Sequence, residues 1–414
     1  MTNKNYVTMI SFVFCLMPII ESLNGFLYGK GISDVYRLLT IVLIIIYFSV
    51  YRRDVQQSII GLLFFISIFL GLIIAQYLFF HGDQVIFIKD IKSMIRILLC
   101  PIYYLFFKET ILNGDINKND LKKIIFVYSC LFSLLIVLLY FFDAGFVSYD
   151  FEKNELTSLV TDTKGVGFKG FFIELNSLIA ILCACLFFVK NEILSFLKAK
   201  GHYIFHLIIY LLICVSLVIT GTKFGIFFFF ICSLVFIIQI LCSFLEVKIK
   251  VFFLICLSLF LVFLKLVLGN IFIGIFQRLV YFFLENEGLV LNVLFSNRLN
   301  YLCEMLKYID ISNYSIFINV FGKGFNYYFL EYKRSIVEID FFDLYISYGI
   351  IGISSYFYFF KDSFYQLLFS KDNCIRNMII ILYVYSFLGG HIIFNSMSAT
   401  FLAICLSYLT TSKI

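Results

Sequence analysis

Apolar residues run along this chain in long blocks, not in the alternation of a half-buried strand or the narrow stripe of a surface helix. Twelve blocks are long enough to read as spanning helices: about 6–23, 35–51, 58–80, 93–108, 123–142, 171–190, 204–220, 224–245, 250–269, 341–360, 377–392 and 395–412. The last two also read as one re-entrant hairpin. Proline occurs only at Pro18 and Pro101, so most spans are expected to be unkinked. No small-residue cleavage site follows the first block, which reads as a spanning helix and not as a removed signal peptide. The pattern predicts an all-α polytopic integral membrane protein of about 12 transmembrane helices, with a large outer loop between the ninth and tenth. Residues 1–269 would hold helices one to nine and an outer loop at 143–170. Residues 270–340 would form the large loop with amphipathic helices, and 341–414 the last three spans.

Composition narrows the class further. The 414 residues are 62% hydrophobic and 14% charged. Soluble domains run near half apolar and a quarter charged. A mean hydropathy of +1.01 excludes a soluble enzyme, a nucleic-acid binder, a disordered chain and a coiled coil. The net charge of +6 has meaning only by position. Outside the two long loops, Lys and Arg concentrate on the side of the termini, at Lys4, Arg52, Arg53, Lys108, Lys118, Lys122, Lys123, Lys190, Lys198, Lys200, Lys248, Lys250, Lys361, Lys371, Arg376 and Lys413. Both termini are therefore expected in the cytoplasm. Nearly all of the 12 Cys lie inside apolar runs and act as small hydrophobes, so no disulfide is expected. With no Trp, an aromatic belt must rest on Tyr.

Several familiar motifs fall away. GVGFKG at 165–170 fits G-x-G-x-x-G, but no strand is expected before it and no βαβ unit can form. There is no Walker A, no H-E-x-x-H and no paired C-x-x-C. The four His (His81, His202, His206, His391) are scattered, which argues against a metal site. No acidic pair lies deep in a span, which argues against an ion relay.

What stands out is a set of charges on the outer side. KDIKSMIR spaces Lys89, Lys92 and Arg96 on one helical face at the mouth of the fourth span. Interfacial snorkelling explains such a face, and so does an anion site. In GVGFKGFFIELNSLIA (165–180), Lys169 arrives among glycines just before the sixth span, with Glu174 and Asn176 near its top. In TGTKFG (220–225), the turn needs Gly, and Thr220 or Thr222 can cap the next helix. Lys223 then either snorkels from a plain turn or joins the helix dipole and free N–H groups in holding an anion. In the large loop, Arg298 opens an amphipathic pattern of Leu299, Leu302, Met305, Leu306 and Ile309, downstream of Arg278. FGKGFNYYF (321–329) clusters aromatics that suit sugar rings or a membrane-surface belt. VEIDFFDLYISYGIIG (337–352) sets Glu338, Asp340 and Asp343 at the start of the tenth span. They satisfy the helix dipole, or supply a general base or a hydroxyl-orienting carboxylate.

These charges share a side of the membrane that offers no ATP, so a reaction there must use an activated substrate. A lipid-linked pyrophosphate sugar fits. Its tail needs the bilayer, its pyrophosphate needs Arg and Lys, and its sugar needs aromatics and carboxylates. In its spans, its dominant outer loop, GFKGFFIELNSLIA, VITGTKFGIF, the Arg298 helix and FGKGF followed by VEIDFFDLYISYGIIG, the chain resembles the O-antigen polymerases of the Wzy family, relatives of the O-antigen ligases. That family's usual Arg before the G-x-F element and in the S-R turn are here Lys169 and Lys223, which keep the charge and lose the bidentate geometry.

The resemblance implies a glycosyltransferase, without metal or other cofactor, in the bacterial inner membrane. It would join undecaprenyl-pyrophosphate-linked repeat units on the periplasmic face. Arg298, Lys223 and Lys169 would hold the donor pyrophosphate, with Arg278, Lys89, Lys92 and Arg96 assisting. Glu338 or Asp340 would orient or deprotonate the acceptor hydroxyl, and Asp343 would contact the glycan. Partners would be lipid-linked glycans, the bilayer and, in some systems, a chain-length-regulating membrane protein, with no nucleic acid. Two rivals stay open. A ligase would use the same donor chemistry, although this chain carries Glu338 and Asp340 where ligases typically have a His motif. A flippase for lipid-linked oligosaccharides would need charges lining a central cavity.

Overall fold

Every predicted apolar block contains helix, because backbone in lipid has no water and must satisfy its own N–H and C=O groups. The computed structural model describes residues 3–51, 56–80, 84–150, 165–199, 201–242, 247–285, 295–296, 298–311, 314–326, 337–370 and 372–411. In chain order the elements are α1 (Asn3–Cys15), α2 (Met17–Phe26), α3 (Ile32–Ile46), α4 (Gln56–Phe79), α5 (Gln84–Leu112), α6 (Lys118–Phe141), β1 (Val147–Asp150) and β2 (Gly165–Phe168). There follow α7 (Leu175–Lys198), α8 (Ile204–Ile219), α9 (Lys223–Leu241) and α10 (Val247–Glu285). The remainder are α11 (Arg298–Ile311), α12 (Ser315–Phe321), α13 (Asp340–Phe359), α14 (Lys361–Phe369), α15 (Asn373–Leu388) and α16 (Ser396–Thr410).

Among the described residues, six helical segments are long and apolar enough to cross a membrane: Asn3–Phe26, Ile32–Tyr51, Gln56–Phe79, Lys118–Phe141, Leu175–Lys198 and Lys223–Leu241. Helices α8, α15 and α16 are apolar but shorter. The chain is thus an all-α, multi-pass membrane protein. Large apolar side chains such as Leu63, Phe64 and Ile74 on α4 point outward, as lipid as solvent allows.

Straightness does not follow proline. Pro18 sits in the first turn of α2, where its missing N–H is no loss, and Pro101 lies inside an unbroken α5. The interruptions come elsewhere. A π-helical turn, Tyr47–Tyr51, ends the second segment. Helix α13 breaks at Gly349 (φ 65°, ψ −168°), where a side chain would collide with the Val320 carbonyl oxygen. Close packing of a neighbouring turn, and not a ring, bends this helix.

Two loop expectations change. GVGF is itself a strand, and a strand does precede it: β2 pairs antiparallel with β1, Val147 opposite Phe168 and Tyr149 opposite Val166. The dinucleotide motif still fails, since an antiparallel pair is not a βαβ unit. Helix α10 continues past residue 269 to Glu285, and α11 and α12 occupy much of the stretch that follows. Among the residues singled out in the sequence, the aromatics at 327–329 lie outside the described residues, as do Arg52 and Arg53.

The chain divides into two compact units. The first comprises Met1–Ser11, Leu39–Leu121 and Leu289–Ile414, and the second Phe12–Leu38 and Lys122–Gly288. In the first, α16 packs along α5 through small buried residues, Ala399, Ala403 and Ser407, and Ser407 Oγ donates to the Tyr104 carbonyl at 3.0 Å. Helix α11 has the expected amphipathic face in part, with Leu306 turned out of it and exposed. Leu302, Met305 and Ile309 are buried with Ile318, Val337, Ile339 and Ile346. In the second, α7 is the central helix. Its apolar window is 78% buried, against 22% for the peripheral α4 of the first unit. Helices α8 and α9 pack against it, and Ala180, Cys183 and Ala184 on α7 are fully buried.

Candidate functional site

In the second unit the structure gathers three sequence candidates by backbone contact. Gly167 of β2 lies against the α8–α9 turn. A side chain on Gly167 would strike the Thr220 carbonyl oxygen, and one on Gly221 would sit 2.8 Å from Gly167 Cα. Both glycines have positive φ (73° and 66°), so this contact needs glycine on either side. Thr222 is the N-cap of α9, its hydroxyl accepting from Gly225 N at 3.2 Å, and Lys223 is the first residue of that helix. On α10, a side chain on Gly274 would meet Val166 Cγ2 at 2.5 Å, and Arg278 stands one turn further on. Lys169 follows β2, its Nζ donating to the Ile173 carbonyl at 3.0 Å. Lys169, Lys223 and Arg278 therefore belong to segments that meet around β2. The Arg278 side chain lies outside the described residues. Glu174 occupies the N-cap position of α7, but its side chain makes no capping bond.

In the first unit Arg298 is the first residue of α11, the wrong end of a helix for a cation. Two partners hold it there. Its Nε and Nη2 donate to Glu338 Oε2 at 3.1 and 2.7 Å, and Nη1 donates at 2.7 Å to the carbonyl of Leu388, the last residue of α15. That carbonyl is at the negative end of its helix, where a cation is favoured. The guanidinium side chain is 11% exposed and Glu338 27%.

Asp340 and Asp343 stand deeper than the sequence implied. Both are buried in the first turn of α13. Asp340 Oδ1 accepts from His391 N at 2.6 Å. Its Oδ2 accepts from Ile392 N at 2.7 Å, Ile393 N at 3.0 Å and Ser386 Oγ at 2.9 Å. Asp343 accepts from Val337 N at 2.6 Å and Ile339 N at 3.1 Å. One carboxylate thus clasps the α15–α16 loop, and the other clasps the residues flanking Glu338. Glu338 is left at φ 67° with its side chain toward Arg298, and a side chain on Gly390 would meet its carbonyl oxygen. Buried and engaged by backbone N–H groups, Asp340 and Asp343 are positioning residues. Glu338 is the acid of the three that keeps appreciable exposure.

His391, one of four scattered histidines in the sequence, takes a defined place in this loop. Its φ is 64°, its N–H binds Asp340, and its carbonyl accepts from Ser398 Oγ at 3.0 Å. Two non-glycine residues in the left-handed region, Glu338 and His391, flank one carboxylate, and such backbone strain concentrates at functional sites. The legible signal was the Gly389–Gly390 doublet before His391, between the last two apolar blocks.

Lys89, Lys92 and Arg96 lie exposed on α5. The buried member of that stretch is Asp90, 6% exposed, whose Oδ1 accepts from Asn326 N and Nδ2, both at 2.9 Å. Among the described residues no group of three or more His, Cys, Asp or Glu is placed to hold a metal ion. No protein-family model matches the chain, and no curated protein matches it either.

Proposed function

We propose that this protein is a polysaccharide polymerase of the O-antigen type, with both termini cytoplasmic and about 12 spans in the bacterial inner membrane. It joins undecaprenyl-pyrophosphate-linked oligosaccharide units on the periplasmic face. The observation that carries the reading is the Arg298–Glu338 pair, a partly exposed cation and a partly exposed carboxylate held at one place in a membrane protein.

The step is a glycosyl transfer. The acceptor hydroxyl oxygen forms a bond to the donor's anomeric carbon, and the bond from that carbon to the phosphate oxygen breaks. The pyrophosphate leaves with the electron pair, and the hydroxyl proton passes to a carboxylate. Arg298 stabilises charge on the leaving group, and Lys169, Lys223 and Arg278 offer further cations for phosphate. A pyrophosphate competes with Glu338 for the guanidinium, because phosphate presents matched oxygens to the same donors. Releasing Glu338 frees its carboxylate to take the proton. Donor binding and base activation are thereby linked. Lys89, Lys92 and Arg96 assist as an exposed cationic face. Asp340 and Asp343 hold the Glu338 segment in place.

A ligase is the second reading, and one observation favours it: His391 is bound through its N–H to Asp340, beside Glu338. Gene deletion in the host, followed by gel analysis of surface polysaccharide, separates the readings. Single repeat units without a ladder mean polymerase. Lipid-linked polymer that never reaches its final acceptor means ligase. Loss of even the single unit points to a flippase and overturns both. Complementation with Arg298→Ala should fail to restore the ladder although the protein still inserts.

A further inference from the structure

The α13 break exposes a second polar centre, in the first unit, which the glycan reading leaves unused. The interruption at Gly349 frees carbonyls from the helical ladder. Ile346 O accepts from Lys323 N at 3.0 Å, and Ser347 O accepts from Gly324 N at 3.1 Å. Gln76 of α4 joins them: its Nε2 donates to Phe321 O at 2.6 Å and to Ser347 O at 2.8 Å. Those two bonds use both amide hydrogens and fix which way the amide points. Gln76 Oε1 must then face the other side, where it is buried without a hydrogen-bond partner. Asp90 faces the same spot. A side chain on Gly324 would lie 2.7 Å from Asp90 Oδ2 and 3.4 Å from Gln76 Oε1, so both oxygens come close beside the Gly324 backbone. The hydroxyl of Tyr348, fully buried and also without a partner, is within electrostatic reach of Asp90.

Two acceptor oxygens cannot face each other in a buried place without something positive between them. Asp90 precedes the apolar stretch of α5, and burial pushes its carboxyl above the usual carboxylate range against the opposing bonds from the Asn326 side chain and the Asn326 and Phe325 backbone N–H groups. The charged form therefore needs a counter-charge. One carboxylate among neutral oxygens balances a single positive charge, which disfavours a divalent ion.

We infer that Asp90 Oδ2, Gln76 Oε1 and the Tyr348 hydroxyl bind a monovalent alkali cation, which ties α4 and α5 to the 322–326 turn and the broken α13. This goes beyond the proposed glycosyl transfer and does not depend on it.

The test is the thermal stability of the purified full-length protein in detergent, in NaCl, KCl or choline chloride at equal ionic strength. A thiol-reactive dye reports unfolding through the buried Cys100 and Cys405. Wild type should melt on the order of 3–6 °C higher in saturating Na+ or K+ than in choline. Asp90→Asn keeps the acceptor for Asn326 and supplies an N–H toward Gln76, so it should melt alike in all three salts. If that variant does not fold, Tyr348→Phe serves: it should need several-fold more Na+ for half the shift. Identical wild-type melting in all three salts would overturn the proposal and mean that a proton on Asp90, or the buried Lys323 of the same turn, balances these oxygens. A wild-type-like salt response in Asp90→Asn, or an unchanged half-saturation in Tyr348→Phe, would overturn it as well.

Discussion

Gly167 and Gly221 meet backbone to backbone, and that contact joins the segments of Lys169 and Lys223, 54 residues apart in sequence. Each glycine has positive φ and no room for a methyl group. Gly167→Ala and Gly221→Ala should each destabilise the second unit by about 1–3 kcal/mol, through backbone strain and collision. Both should lower glycan-chain growth by more than their effect on melting explains. Growth at wild-type level in a variant whose melting has fallen would show that the joining of the two lysine segments is unimportant to function.

Arg298 and Glu338 are partly shielded from water, so their pairing should be measurable. A double-mutant cycle with Arg298→Ala and Glu338→Ala should return a coupling of about 1–3 kcal/mol. Arg298→Lys keeps the charge but loses the fork that reaches both Glu338 and the Leu388 carbonyl, so it should not restore chain growth. Glu338→Gln should insert and fold while activity is lost. An active Glu338→Gln protein would remove the carboxylate from the proposed proton transfer.

Asp340 accepts four hydrogen bonds, three of them from backbone N–H groups of the 391–393 segment. Asparagine offers one acceptor oxygen and turns two hydrogens on those donors. Asp340→Asn should cost about 2–4 kcal/mol. It should also raise the hydrogen exchange of the amides of His391, Ile392 and Ile393. Unchanged exchange there would mean that the carboxylate does not hold the loop.

The buried face of α11 gives a paired comparison on one helix. Leu302 is 8% exposed inside an apolar cluster, and Leu306 is 36% exposed. Leu302→Ala should destabilise by about 2–4 kcal/mol and Leu306→Ala by under about 1 kcal/mol. Denaturant or thermal melts in detergent read both. Equal effects would mean that the helix is not packed on that face.

Thr222 caps α9 with its hydroxyl. Thr222→Ala should lower stability by about 1 kcal/mol, whereas Thr222→Ser should be near neutral. A melt of the two variants side by side checks it.

The helices were legible because their cause is local. A block of some 20 apolar residues has one way to sit in lipid, and each such block is helical here. The Thr222 cap and the amphipathic face of α11 were legible for the same reason, since both depend on neighbours within about a turn. The interruptions were not. Gly349 breaks α13 because residues 320–322 press against it, and those residues lie some 27 positions earlier in the chain.

The candidate chemistry divides along the same line. The residue types and the membrane setting were set by the sequence, because charge and hydropathy belong to each residue wherever it lies. Their roles were decided by tertiary contact. Glu338, Asp340 and Asp343 look alike in a row of acids, yet one meets Arg298 and two are buried on backbone N–H groups. Asp90 and Gln76 drew no notice in the sequence, since their shared point exists only where α4, α5 and the 322–326 turn converge. The energy of a carboxylate depends on which dipoles and charges surround it, and in this chain those come from residues up to some 240 positions away.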